Sequence, residues 1–295
     1  MIWNLFKSNG GNTKDGLEIK VKKVLEKLPW NTDTTAIIDL LKPTVGVSLS
    51  SSSSKRQSKL GGKPDLPNNY NWPTCKSVSL AFIAQINLDE VAKFDKHCVL
   101  PKTGILYFFI RTGEDYPELK DEYSVFYYDG KTEDIEQRDF PNDLTDISKF
   151  KGIGMDFFEQ YTLPAYQNFQ ITNLALDDGD VNLLWTAEEE ICKLTTKQFE
   201  VGNQILGEAR AEQGDVNWHW AFAYLEYDSY DLDDKQKKKI NELEKEFVLL
   251  LQVDLGDDRP DFSKYGGSGI AYFGILIDDL KKGNFDKVIL EVQTT

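Results

Sequence analysis

His97 and His219 are the only side chains in this 295-residue sequence whose ordinary pKa lies near neutrality. Neither stands in a metal-binding spacing such as H-E-x-x-H, so both read as structural histidines. Gly266-Gly267-Ser268-Gly269 has the outline of a nucleophile elbow, but G-x-S-x-G requires glycine at position 270, which is Ile270. Gly61-Gly62-Lys63-Pro64 sets glycines beside a lysine without the Walker spacing and runs into proline, so it predicts a tight turn. Asp178, Asp180 and Asn182 stand at positions one, three and five of a calcium loop, with Glu189 at twelve. Leu183 replaces the glycine that the sharp turn of such a loop needs, and acidic residues at a helix N-terminus explain the pattern. Asp254, Asp257, Asp258 and Asp261 form a solvated acidic loop with no ligand spacing. The chain therefore predicts no metal, no cofactor and no assigned catalytic residue.

Other polar or aromatic residues have chemistry of a different kind. Gln85 and Gln252 interrupt otherwise apolar runs, and a buried amide without partners costs about 1–3 kcal/mol. Each must bond either neighbouring backbone or a ligand. Tyr107 and Tyr272 lie in apolar runs and read first as core, with a ligand pocket as the alternative. Trp72, before Pro73, reads as a packed loop anchor. The candidates for ligand or partner contact are Gln85, Gln252, Asp254, Tyr107, Tyr272 and Trp72.

The elements that must position them follow from periodicity. Leu17, Val21, Val24, Leu25 and Leu28 recur at spacings of three and four, with Asp15 and Glu18 as cap and capping-box partner, and Pro29 ends the helix. A short helix over 36–41 stops before Pro43, and Val45, Val47 and Leu49 alternate as a strand. The serine tract 50–54 predicts an exposed loop. Beyond it, 80–88, 104–111, 123–129, 248–255, 269–277 and 287–292 predict strands, while 180–194 and 232–247 predict helices. Val216, Trp218, Trp220, Phe222 and Tyr224 fit either period.

Residues 81–110 and 248–275 share one layout. Phe82-Ile83-Ala84-Gln85-Ile86-Asn87-Leu88 parallels Leu249-Leu250-Leu251-Gln252-Val253-Asp254-Leu255, and Gly104-Ile105-Leu106-Tyr107-Phe108 parallels Gly269-Ile270-Ala271-Tyr272-Phe273. Lys59-Leu60-Gly61-Gly62 has a fainter counterpart in Ile205-Leu206-Gly207-Glu208. The expected fold is α+β: an N-terminal helical segment, 1–50, and a strand-rich body, 51–295, forming one compact unit. Two diverged copies of a β unit, 58–130 and 203–292, would be related by a pseudo-twofold axis.

At these residues the sequence resembles the YwqG-like family, a bacterial domain of unknown function. The matching stretches are Ser58-Lys59-Leu60-Gly61-Gly62-Lys63-Pro64 with Trp72-Pro73, Ala84-Gln85-Ile86-Asn87-Leu88, and Leu100-Pro101 through Phe109. They continue with Asn203-Gln204-Ile205-Leu206-Gly207, Gln213-Gly214-Asp215, Leu250-Leu251-Gln252-Val253-Asp254 and Tyr265-Gly266-Gly267-Ser268-Gly269. The resemblance implies an α+β fold and no established activity.

Composition sets the remaining bounds. The formal charge of -15 repels phosphate backbones and anionic lipid, so neither nucleic acid nor a membrane is an expected partner. Three cysteines without C-x-x-C spacing, and an N-terminus that turns polar at once, predict reduced thiols in a cytoplasmic protein. A monomer is expected. The leading functional expectation is an interaction module whose acidic surface meets a basic protein partner. The alternative is an enzyme or small-molecule binder using a cleft between the two halves.

Overall fold

The computed structural model describes residues 16–51, 54–113, 115–117, 119–196, 202–265 and 267–294. Asp15 and Gly266, on which the expected helix cap and glycine turn depend, lie outside the described residues. Helix α1 (Gly16–Leu25) buries Val21 and Leu25 on one face. Asp33 then caps the short α2 (Thr34–Ile38) by accepting the Thr35 N–H. Strand β1 (Lys42–Ser50) follows.

The next elements are β2 (Lys59–Leu60), β3 (Asp65–Pro67), a hairpin of β4 (Thr74–Cys75) and β5 (Val78–Ser79), β6 (Ala81–Asn87), the single turn α3 (Leu88–Val91), β7 (Ile105–Ile110), β8 (Tyr123–Tyr128) and β9 (Ile135–Gln137). The chain then forms β10 (Ile153–Thr162), α4 (Phe169–Leu174), α5 (Asp178–Lys193), β11 (Gln204–Ile205), α6 (Val216–Tyr224), α7 (Asp234–Leu243), β12 (Phe247–Asp254), β13 (Gly269–Leu276), α8 (Ile277–Lys282) and β14 (Ile289–Thr294). This is a mixed α and β fold. Ten strands make one antiparallel sheet in the order β14-β13-β12-β11-β1-β10-β2-β6-β7-β8. Strand β1, part of the expected N-terminal segment, lies in the middle of that sheet, paired along its whole length with β10.

The sheet curls until its ends nearly meet. Lys120 Nζ and Tyr123 Oη at the β8 edge both donate to the Val288 carbonyl just before β14, at 2.6 and 3.2 Å. Inside, alternate residues of β7 and β13 face one another, and the Phe108 and Phe273 rings approach to 4.9 Å. The opposite faces of the same strands are also covered. Tyr107 and Phe109 pack under Leu66, Leu80 and Ile135, while Ile270 and Tyr272 pack under α6 and α7. Burial on both faces explains why these strands read as unbroken apolar runs. A fourth cluster joins α1 and α2 to α5 behind Tyr161 and Leu163.

Only two residues of β2 and two of β11 join the long β1–β10 pair to the strands on either side. One buried glutamine stands opposite each joint. Gln85 pairs with Lys59 and Tyr107, and Gln252 with Gln204 and Tyr272. In both strands a register shift immediately precedes the glutamine, between Phe82 and Ala84 and between Leu249 and Leu251. Gln85 Oε1 accepts the Asp65 N–H at 2.9 Å and its Nε2 donates to the Gln57 carbonyl at 2.8 Å. Gln252 Oε1 accepts the Arg210 N–H at 3.1 Å and its Nε2 donates to the Gly202 carbonyl at 2.8 Å. The neighbouring tyrosines complete the pattern: Tyr107 donates to the Asp65 carbonyl at 2.6 Å and Tyr272 to the Arg210 carbonyl at 2.7 Å. After β2, Gly61 and Gly62 take φ values of 56° and 72°, the tight turn expected there, and a Cβ on Gly62 would lie 2.7 Å from Gly152 Cα.

Both glutamines are thus consumed by backbone. Replacing either with leucine leaves a buried N–H and a part-buried carbonyl without their amide partner, which costs about 1–3 kcal/mol. Gln85→Leu and Gln252→Leu are each expected to lower Tm by several degrees in thermal denaturation. Wild-type stability in either variant would contradict this role.

Candidate functional site

Asp215 decides the local structure of the ambiguous segment 216–224. Its carboxylate accepts the Asn217 N–H at 2.9 Å and starts helix α6, so the alternation of aromatics there is helical. Trp220, 1% exposed, lies flat over Gly274 of β13 and donates from Nε1 to the Tyr272 carbonyl at 3.2 Å. Any side chain at 274 would occupy the space of the indole ring. With Trp220 anchored inward, Trp218 and His219 turn towards solvent.

They form one wall of a polar cleft of about 370 Å³. Segment 167–173 and the end of α7 with the turn that follows it, from Asn241 to Lys245, form the other walls. Asp215 sits at the junction, where it also accepts the Phe169 N–H at 2.7 Å and so ties α4 to α6. Burial pushes its carboxyl up to about 6, helped by the charge of Glu208 and opposed by these N–H donors. Glu244, 4% exposed, is pushed up to about 7 by burial and then by the charge of Asp215, with Lys245 acting in the opposite direction. Its backbone carbonyl accepts Asn217 Nδ2 at 3.1 Å. Burial lowers the His219 imidazole, which favours the neutral ring. Gln167 Oε1 is buried without a hydrogen-bond partner among the described residues. The cleft therefore joins two carboxyl groups with raised pKa values, of which Glu244 is about half protonated at neutrality, with amide, ammonium and imidazole groups.

A family model for a domain of unknown function, DUF1963, matches residues 58–294. The chain belongs to this family. No curated protein matches it at a significant level. No helix among the described residues of this DUF1963 member is long and apolar enough to cross a membrane.

The residues singled out by sequence are dispersed through the fold. Gln85 and Tyr107 cover one flank of the sheet, Gln252 and Tyr272 the other, and none of the four lines the cleft. Trp72 packs edge-on against Phe109 at 5.4 Å and donates to the Leu80 carbonyl, which makes it the expected loop anchor. Asp254 accepts the Gly256 N–H at 2.8 Å at the end of β12. The acidic loop after it is internally cross-linked: Asp257 binds Arg259, and Asp261 binds Lys151 and Lys264 at 3.0 and 2.7 Å. The apparent calcium loop is the first turns of α5, and both Asp180 carboxylate oxygens accept N–H groups, from Asn31 and Thr32. Cys75 and Cys192 are buried, Cys98 is exposed, and all three are free thiols.

The cavity that draws on both flanks lies between Lys42, Phe94 and His97 on one side and Gly207 and Phe247 on the other, and encloses only about 50 Å³. The polar cleft of about 370 Å³ lies outside the sheet on the β11–β14 flank. Asp215 and Glu244 were the residues that spacing did not disclose. Asp215 could have been found as an N-cap after Gln213-Gly214, whereas nothing in Leu243-Glu244-Lys245 marks Glu244 for burial.

The raised carboxyls give stability a defined pH dependence. Glu244 titrates near 4.5 in an unfolded chain and near 7 when folded, so its stabilising contribution is complete below about pH 4.5 and is lost as pH rises through 7. Glu244→Gln removes that titration. The variant is expected to gain stability relative to wild type between pH 5 and 8 by about 1–3 kcal/mol in denaturant titrations. Parallel pH profiles for the two proteins would show that Glu244 is not held protonated.

Proposed function

We propose that the protein is a small-ligand binding module whose site is the polar cleft between α4, α6 and the end of α7. The observation that supports this is the conjunction, in one solvent-open cleft, of the half-buried Asp215 and buried Glu244 carboxyls with the unbonded Gln167 Oε1. Sites for small ligands combine a concavity with a few convergent polar groups. Asp215 is committed to holding α4 and α6 together through two backbone N–H groups, which fits recognition better than proton transfer. We also infer that the β2–β6–β7–β8 and β11–β12–β13–β14 flanks descend from one duplicated unit related by a pseudo-twofold axis. The shared glutamine, tyrosine and register-shift pattern supports this. The cleft is built from the second unit and segment 167–173 with nothing from the first unit, so recognition would have arisen after duplication.

A second reading is interaction with a basic protein partner. The exposed run 129–146 favours it, since Asp129, Glu133, Asp134, Glu136, Asp139, Asp143 and Asp146 outnumber Lys131 and Arg138.

Equilibrium dialysis of the protein against a small-molecule extract, read by mass spectrometry, separates the two. Wild type is expected to enrich a compound that the cleft-filling variant Asn241→Trp does not. Equal enrichment by both proteins, or none by either, would overturn the cleft as a ligand site. Salt-sensitive binding of an oligolysine peptide that is lost when Glu133, Asp134 and Glu136 are made amides would then support the second reading.

A further inference from the structure

Next to the polar cleft stands a stack of three aromatic rings. Trp218 and Phe222, one helical turn apart on α6, lie nearly parallel at 5.3 Å and 17°. Tyr230, from the connection to α7, lies parallel to both, 4.7 Å and 7° from Phe222 and 6.0 Å and 13° from Trp218. Tyr230 is nonetheless 69% exposed, the most exposed large aromatic among the described residues. Apolar surface left in water costs about 25 cal/mol per Å². A rigid aromatic platform open to solvent is therefore a feature to explain, and Trp218 carries it into the cleft wall.

Resting on the small-ligand reading above, we propose that the cleft binds a neutral polyhydroxylated ring, a sugar or cyclitol, with its apolar C–H face on Trp218, the ring of the stack that lines the cleft and that Phe222 and Tyr230 hold in place, and its hydroxyls against Glu244, Gln167 and Asn241. Three features select this ligand class. A ring with one apolar face and an equatorial girdle of hydroxyls matches a flat aromatic wall beside a polar floor. Each hydroxyl both donates and accepts, and the cleft supplies both partners: carboxyl and amide oxygens on one hand, the Asn241 amide and Lys245 ammonium on the other. An organic cation only donates, and it would meet the Lys245 ammonium. An anion would meet Asp215 and Glu244. At neutral pH Glu244, near 7, keeps its proton about half the time and the Lys245 ammonium opposes the charge of Asp215, which leaves the cleft with little net charge and favours a neutral guest.

Saturation-transfer difference NMR on the full chain tests this, with glucose, N-acetylglucosamine and myo-inositol as neutral probes and arginine amide as the cationic one. At least one neutral probe is expected to receive saturation at its ring C–H protons. Tyr230→Ala and Asn241→Ala, both at exposed positions, should weaken that binding about tenfold or more while Tm stays near the wild-type value. Binding of a neutral probe that neither variant alters would place it elsewhere and overturn the proposal. Silence from all three neutral probes would overturn it as well. Arginine amide bound in their absence, and lost in Asn241→Trp, would leave the cleft a ligand site of opposite preference, so the two readings fail separately.

Discussion

The fold depends on how two short joints are held. A ten-stranded sheet passes from the central β1–β10 pair to its flanks through two ladder residues on each side, Lys59–Leu60 and Gln204–Ile205. So short a strand cannot hold itself, since its few backbone bonds barely offset the entropy of ordering it. A buried amide does the rest. Gln85 and Gln252 each satisfy one N–H and one carbonyl of the irregular chain entering or leaving the joint, in a layer from which water is excluded. Tyr107 and Tyr272 then clamp the far side of the same segments.

The two joints reach similar geometry with different chemistry. In the first, Lys59 and Asp65 form an ion pair at 2.8 Å, both almost fully buried, and Asp65 Oδ2 also accepts Gln85 Nε2 and the Arg56 N–H. In the second, Gln204 replaces the lysine and donates to the Leu206 and Glu208 carbonyls. Arg210 takes the place of the aspartate, and its guanidinium reaches Cys192 Sγ at 3.1 Å. A buried ion pair returns little net stability after desolvation, but it tolerates few alternative arrangements. The amide version is neutral and leaves Arg210 directed towards α5. This difference follows the course of the chain, because a long helical excursion, α4 and α5, precedes the second joint and must be fastened to it.

Much of this was legible in the sequence because both faces of the flank strands are buried. Runs such as Leu249-Leu250-Leu251 and Ile105 to Ile110 have no competing helical reading once Gly, Pro and Asp bound them. Strand β10 was not legible: Asp156, Phe157, Phe158 and Glu159 are all partly or fully exposed, and neither period stands out. The role of β1 was hidden for another reason. Its alternation predicts a strand, but only pairing with β10 and β11, more than a hundred residues away, puts it at the centre. The segment 216–224 shows the limit of periodicity itself, because the capping carboxylate of Asp215, not the spacing of its aromatics, selects the helix.

The cleft was least legible, and the reason is physical. Sequence flags polar residues that interrupt apolar runs, and those are the residues a closed sheet must use up: Gln85 and Gln252 are fully bonded and far from solvent. A site needs polar groups that are desolvated yet left with bonding capacity, and that state is created by tertiary packing. Glu244 ends an ordinary charged helix and becomes buried only because α6 lies across it, anchored by Trp220 on Gly274. The same docking turns Trp218 outward and brings segment 167–173 alongside through Asp215. One indole fitted over one glycine thus sets the wall, the floor and the electrostatics of the cleft together, which ties any change of ligand preference there to the packing of α6 on the sheet.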